Sequence, residues 1–273
     1  MGGLLSSARA KARDVVRRGP RQVIWTPAYM GFGNLLYLAL WCDEDPDNRR
    51  LLRTGRLEPW LATFPALADL AVTPADVSSR DIRRSAVSES YGRFGDDFTE
   101  EHLNDFVRRR LLGAFSPSTV DTVVVNIRRG DYYDDPAVRG YFGMDLNAYL
   151  RAAVPRVLEQ RPAGELHVVS DGLDWCRVRM GWIEEELGVP VTFDRETATP
   201  LENLVDVATS RRILMTNSTF SYWAGYIHDV LYPGTEADVW APRFFSRWQP
   251  DHSAWQLNTR WSVIEEIPGG WDS

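Results

Sequence analysis

Between residues 122 and 242 the hydrophobic pattern switches regularly between two periods. "TVVVNIR" (122–128), "ELHVVSD" (165–171), "VPVTFD" (189–194), "RRILMTN" (211–217) and "ADVWAP" (237–242) are short aliphatic or β-branched runs of strand length. The intervening segments "DLNAYLRAAVPRVLEQ", "LDWCRVRMGWIEEELG", "PLENLVDVATS" and "SYWAGYIHDVL" follow the helical period. In the first of these, Leu146, Tyr149, Leu150, Ala153, Val154, Val157 and Leu158 fall on one face, and Pro155 marks a local kink. Five strands alternating with four helices predict a mostly parallel, doubly wound sheet.

Nearer the N-terminus, "QVIWT" (22–26), the glycine-rich "PAYMGFGN" and the apolar run "LLYLALWCDED" predict a strand, a turn and a helix. From 46 to 97 Pro, Arg and Asp interrupt the pattern, and short helices and loops are expected. "TEEHLNDFVRRRLLGAF" (99–115) reads as a helix with Thr99 at its N-cap and acids in its first turn. "SPSTVD" (116–121) reads as a boundary. The expected organisation is a basic leader over 1–20, an N-terminal α/β domain over 21–118 and a C-terminal α/β domain over 119–273.

Composition narrows the functions open to such a chain. Its 273 residues can bury a large core, and the formal charge of −7 argues against a non-specific nucleic-acid binder. A local cationic pocket for an anionic small molecule remains compatible with that charge. Lys11 is the only lysine, an arginine skew that suggests a GC-rich bacterial genome. Cys42 and Cys176 are too few for a disulfide framework or a thiolate zinc site, and are read as reduced thiols. No apolar run has the length of a membrane span. The leader has its apolar patch before its charge, the wrong order for a secretory signal, and the match of "MGGLLS" to a myristoylation pattern is read as chance. A cytoplasmic location is expected.

In a doubly wound sheet, ligands bind outside the carboxyl ends of the strands. The unusual polar groups sit there: "NIRRGD" after the first strand of the regular series, "SDG" after the second, "TNSTFS" after the fourth. Arginine is a permanent, fork-shaped donor for phosphate oxygens, and two adjacent arginines on an extended strand point in opposite directions. One can enter the crevice while the other pairs with a carboxylate. "NSTFS" offers hydroxyls and free N–H groups at a helix N-terminus, and Asp171 can accept from a base or ribose. Each element also has a structural alternative. The arginine can be an ion pair, Ser218 a helix cap, and Asp171 the cap of the helix beginning near Leu173. "MGFGN" is not a full dinucleotide fingerprint, and no Walker motif occurs. The coincidence of three elements at one edge points to a nucleotide sugar, with its diphosphate between arginine and helix terminus.

Four stretches resemble the α-1,2-fucosyltransferase family, glycosyltransferase family 11. "GFGN" (31–34) is similar to the family's G-x-G-N, "NIRRGDY" (126–132) to H-x-R-R-G-D-Y, "SDGLDWC" (170–176) to S-D-D-x-x-W-C, and "NSTFSYW" (217–223) to N-S-S-F-S-W-W. The resemblance covers about 22–243. It implies a GT-B-like fold of two Rossmann-type halves, a GDP-sugar held by the C-terminal half, and inverting transfer with no required metal or flavin. By the same likeness Arg128 and Arg129 contact the diphosphate, and Asp131 completes the motif and is the first candidate for the general base, ahead of Glu202. Asp171 faces the nucleoside; Asn217, Ser218, Thr219 and Ser221 surround the phosphates; Gly31, Gly33 and Asn34 form the N-terminal motif. The acceptor, a glycan or small molecule, is left open.

The chain departs from the family at three positions. Asn126 replaces the motif histidine and can still hydrogen-bond a nucleotide but cannot shuttle a proton, Gly172 stands in place of the second acid of S-D-D, and Tyr222 in place of a tryptophan. "DYYDDP" also supplies Asp131, Asp134 and Asp135, an oxygen-rich group able to hold Mg²⁺ or Mn²⁺ against phosphate, or else a solvated loop. These features motivate an alternative, a flavin-free, metal-dependent GDP-hexose pyranose/furanose mutase, and a third reading, a non-catalytic GDP-sugar-binding protein.

Overall fold

The computed structural model describes residues 20–86, 98–234 and 238–272. The leader and the end of the irregular stretch, 87–97, lie outside the described residues. The chain forms two compact units that divide between residues 93 and 94.

The first unit is a four-stranded parallel sheet in the order β3-β2-β1-β4. Strand β1 (Gln22–Trp25) leads into helix α1 (Phe32–Asp43), as the apolar run predicts. The stretch expected to hold short helices and loops contains the short helix α2 (Glu58–Thr63) and also three strands, β2 (Arg49–Leu52), β3 (Ala71–Val72) and β4 (Ile82–Ser85). "RRLL" and "IRRS" carry too few apolar residues to announce strands, and only Leu51 among these eight residues is buried.

Helix α3 (Glu100–Phe106) opens the second unit, with the Thr99 hydroxyl accepting from the His102 N–H at 3.3 Å. Its helical path continues, with altered winding, to Ala114. Phe106, Val107 and Leu111 are buried, and the Phe106 ring lies 5.5 Å from Trp223. This packing ties the segment to the second unit, so the division precedes the 118/119 boundary expected from "SPSTVD".

The second unit holds a six-stranded parallel sheet in the order β10-β9-β8-β5-β6-β7. Its strands are β5 (Val123–Ile127), β6 (Leu166–Ser170), β7 (Val191–Phe193), β8 (Arg212–Met215), β9 (Val239–Pro242) and β10 (Ser262–Ile264). Two short helices, α4 (Gly130–Asp134) and α5 (Pro136–Phe142), come after β5 and precede α6 (Leu146–Gln160), which runs through Pro155. The segment 173–188 forms two helices, α7 (Leu173–Arg179) and α8 (Trp182–Leu187), rather than one. α9 (Pro200–Thr209) and α10 (Thr219–Leu231) complete the set. The strand order reverses between β5 and β8, the neighbours that flank the switch point.

The pleat of β5 distributes its side chains between two helical layers. Val123, Val125 and Ile127 join the core made with Leu150 and Val154 of α6, Cys176 of α7 and Ile183 of α8. Asn126 points the other way and bonds Ser221 of α10 at 2.6 Å. Successive residues of a strand face opposite sides of the sheet. The same period sets the directions of the two arginines just beyond Ile127.

Candidate functional site

Arg128 continues the Asn126 side of β5. Its backbone N–H donates to Thr216 Oγ1 at 2.9 Å, joining the ends of β5 and β8 at the switch point. Its guanidinium donates to Asp171 Oδ2 and to Asp131 Oδ1, each at 2.5 Å. Burial works against the Arg128 charge, but Asp171 and Asp131 outweigh it and hold the pKa above the ordinary guanidinium value. The side chain is still 37% exposed, leaving part of its donor fork open to a ligand. Gly130 allows this close assembly: it has φ +24°, and a Cβ there would lie 2.7 Å from Asp171 Oδ2.

Asp171 also accepts the Arg129 backbone N–H at 2.6 Å. It is therefore a bracket between the two arginines. It does not cap α7, whose N-cap position belongs to Gly172. Ser218 does cap α10, its hydroxyl accepting from the Phe220 N–H at 3.3 Å. The thirteen-residue α10 aligns its peptide dipoles so that the positive end lies at this turn. Thr219, half-buried, is its first residue, two positions earlier than the periodicity indicates.

Three residues expected around the ligand are buried and bonded within the fold. Asn126 is buried, donating to the Val169 carbonyl at 3.1 Å and accepting from Ser221. Ser221 is fully buried. Asn217 is buried as well and donates to the carbonyls of Phe142 and Phe245, both at 2.8 Å. Their amides and hydroxyl satisfy polar groups that the fold removes from water, a duty that sequence spacing does not distinguish from ligand binding. Gly31, Gly33 and Asn34 lie at the start of α1 in the first unit.

The acidic loop does not gather. Asp131 pairs with Arg128, Asp135 caps α5 through the Ala137 N–H at 2.8 Å, and Asp134 is exposed. Among the described residues no three His, Cys, Asp or Glu side chains come together as metal ligands. Glu202 closes a capping box with Thr199, and the Thr199 N–H holds its carboxyl below the usual range, which makes it a poor base. Both cysteines are buried, and burial pushes the Cys176 thiol up to about 11, away from a reactive thiolate.

Arg129 does not enter the Arg128 crevice. Its guanidinium carbon lies 4.1 Å from the ring centroid of Tyr133 and 4.6 Å from that of Trp175 on α7. The two guanidiniums therefore have different surroundings, Arg128 beside Asp131 and Asp171 and Arg129 on the α6–α7 side. Thr216, Tyr133 and Trp175 lay unmarked within the motif stretches. Their signal was adjacency to the strand ends, which carries no information about direction.

Fold and site together define the second unit as a doubly wound α/β domain whose switch point brings Arg128, Asp171 and Thr216 together at the strand ends. The family model for glycosyl transferase family 11 matches residues 90–230, more than half of the chain. The chain belongs to that family, as its motifs indicated. It is 29% identical over 131 residues to the galactoside alpha-(1,2)-fucosyltransferase 1 of Aotus azarae, covering 48% of this chain and 35% of that protein. The enzyme of the same name from Leontocebus fuscicollis is 28% identical over the same shares. The chain thus spans about a third of the length of the curated relatives it matches. A crystal structure of POFUT1 in complex with GDP covers 82% of this chain and 98% of its own, with a TM-score of 0.41 and 10% identity. No helix among the described residues is long and apolar enough to cross a membrane.

Proposed function

We propose that the protein is an inverting, fucosyl-type transferase that uses GDP-L-fucose or a related GDP-hexose, with its second unit as the donor domain of a GT-B arrangement. The observation that carries this reading is the meeting of the Arg128–Asp171 pair with the Thr216–Thr219 turn at the ends of β5, β6 and β8, inside the segment matched by the family.

The chemistry is set by where charge develops. As the C1–O bond breaks, negative charge builds on the β-phosphate and positive charge on the sugar ring. A guanidinium held in place beforehand by Asp131 and Asp171, with the N–H groups at the start of α10 nearby, stabilises the leaving diphosphate with little reorganisation. The acceptor hydroxyl must lose a proton during attack. Asp131, exposed one turn beyond Arg128, is the candidate base. A galactoside is the first acceptor class to test, since the relatives' names specify it.

The test is incubation with GDP-L-fucose, with and without a β-galactoside, then chromatography. Fucosylated acceptor and free GDP in equal amounts are expected. An isomeric GDP-sugar formed without acceptor would establish the mutase instead, and unchanged donor under both conditions would overturn transfer from GDP-fucose.

A further inference from the structure

Arg129 is an unusual cation in this molecule. The Tyr133 and Trp175 rings lie 4.1 Å and 4.6 Å from its guanidinium carbon, and no carboxylate is paired with it among the described residues. Burial pushes the Tyr133 phenol up to about 12, and its hydroxyl donates to the Met144 carbonyl at 2.9 Å, so it is a neutral wall and no counter-charge. Aromatic stacking occupies the faces of a guanidinium but leaves the N–H groups in its plane free to donate.

That edge borders a cleft of about 250 Å³, lined chiefly by Arg129, Tyr133, Arg139, Asp145, Asn147 and Trp175. Asp145 is the one carboxylate in the lining, and one of its oxygens caps α6 by accepting the Ala148 N–H at 3.0 Å. Arg129 brings to this lining a guanidinium that no carboxylate pairs among the described residues. The volume is smaller than the roughly 300–1,000 Å³ of a site for a drug-sized ligand, and suits one small group rather than a whole nucleotide.

Gly172 makes the arrangement possible. A Cβ at this position would lie 2.6 Å from Arg129 Cβ and 2.7 Å from its Cγ. Any side chain at this position would therefore push Arg129 from its place.

We propose that the Arg129 cleft binds a small oxyanionic group, a carboxylate or a phosphate, of a ligand other than the one held at Arg128. Arg129 supplies a fork of donors, stacking fixes its plane, and the low polarity of the two rings strengthens its pull on an anion. The inference does not depend on what occupies the Arg128 crevice.

Inorganic phosphate titrated calorimetrically into the full chain, with and without excess GDP, tests it. One phosphate site should persist with GDP present and in Arg128→Ala. It should weaken at least tenfold in Arg129→Met, which keeps an aliphatic chain beside the rings, and in Gly172→Ala, which pushes Arg129 aside. Should neither variant fold, tryptophan emission serves: phosphate should alter it in the unmodified chain and not in Trp175→Phe. The absence of a phosphate site in the unmodified chain, equal affinity in Arg129→Met and Gly172→Ala, or an emission change that survives in Trp175→Phe overturns the proposal. GDP binding without this site sinks the proposal alone. This site without GDP binding sinks only the donor reading.

Discussion

Arg128 and Arg129 are neighbours in sequence and serve opposite faces of one sheet. Arg128 is paired twice, to Asp131 and Asp171, and sits at the switch point beside the start of α10. Arg129 lies beside two rings over a cleft next to α6 and α7. The difference arises from the period of the strand that precedes them: Asn126 faces α10 and Ile127 faces the α6–α8 layer, and each arginine keeps the direction of the residue two before it. A short motif that reads as one double cation thus supplies two guanidiniums in different settings, the first paired to two carboxylates and the second set beside two aromatic rings. Asp171 links them, accepting a side-chain donor from the first and a backbone donor from the second.

Substitutions on the α10 side sharpen this contrast. Asn217→Ala has the largest expected effect on stability. It removes both bonds to the Phe142 and Phe245 carbonyls, and unsatisfied buried groups of this kind cost on the order of 3 kcal/mol together. Chemical denaturation should show that loss, and a change below about 1 kcal/mol would mean that Asn217 is a ligand contact and no brace. Ser218→Ala should do less. Losing an N-cap costs about 1 kcal/mol, read as a lower denaturation midpoint with an unchanged slope. Because the cap lies on the Arg128 side, phosphate binding at Arg129 should stay unchanged in Ser218→Ala. A matching loss at the Arg129 cleft would break the separation of the two faces.

Much of the second unit was legible because its strands are buried on both faces and read as continuous aliphatic runs; Val123 to Ile127 are all buried. The strands of the first unit are arginine-rich and partly exposed, and β10 is three residues long, so none of these produced a periodic signal. At the site, sequence located the right strand ends but not the division of labour among their polar residues. Asn126, Asn217 and Ser221 look like ligand donors in a string of letters. Only the carbonyls and side chains that meet them in space show that they bond within the fold. A helix cap at Ser218 was one of the two duties its position allowed, and it coexists with a ligand role for the turn, since the first N–H groups of any helix have no partner within it.

If Arg128, and not Arg129, holds the donor diphosphate, calorimetric titration of GDP, UDP and ADP into the unmodified chain, Arg128→Ala and Arg129→Met will separate the two residues. GDP should bind more tightly than UDP or ADP, and Arg128→Ala should weaken GDP by about 10- to 100-fold through loss of a charge-assisted contact. Arg129→Met keeps the backbone N–H that Asp171 accepts, so GDP affinity should fall by less than about threefold. A large loss in Arg129→Met with near-normal binding in Arg128→Ala would contradict the assignment of the diphosphate to Arg128.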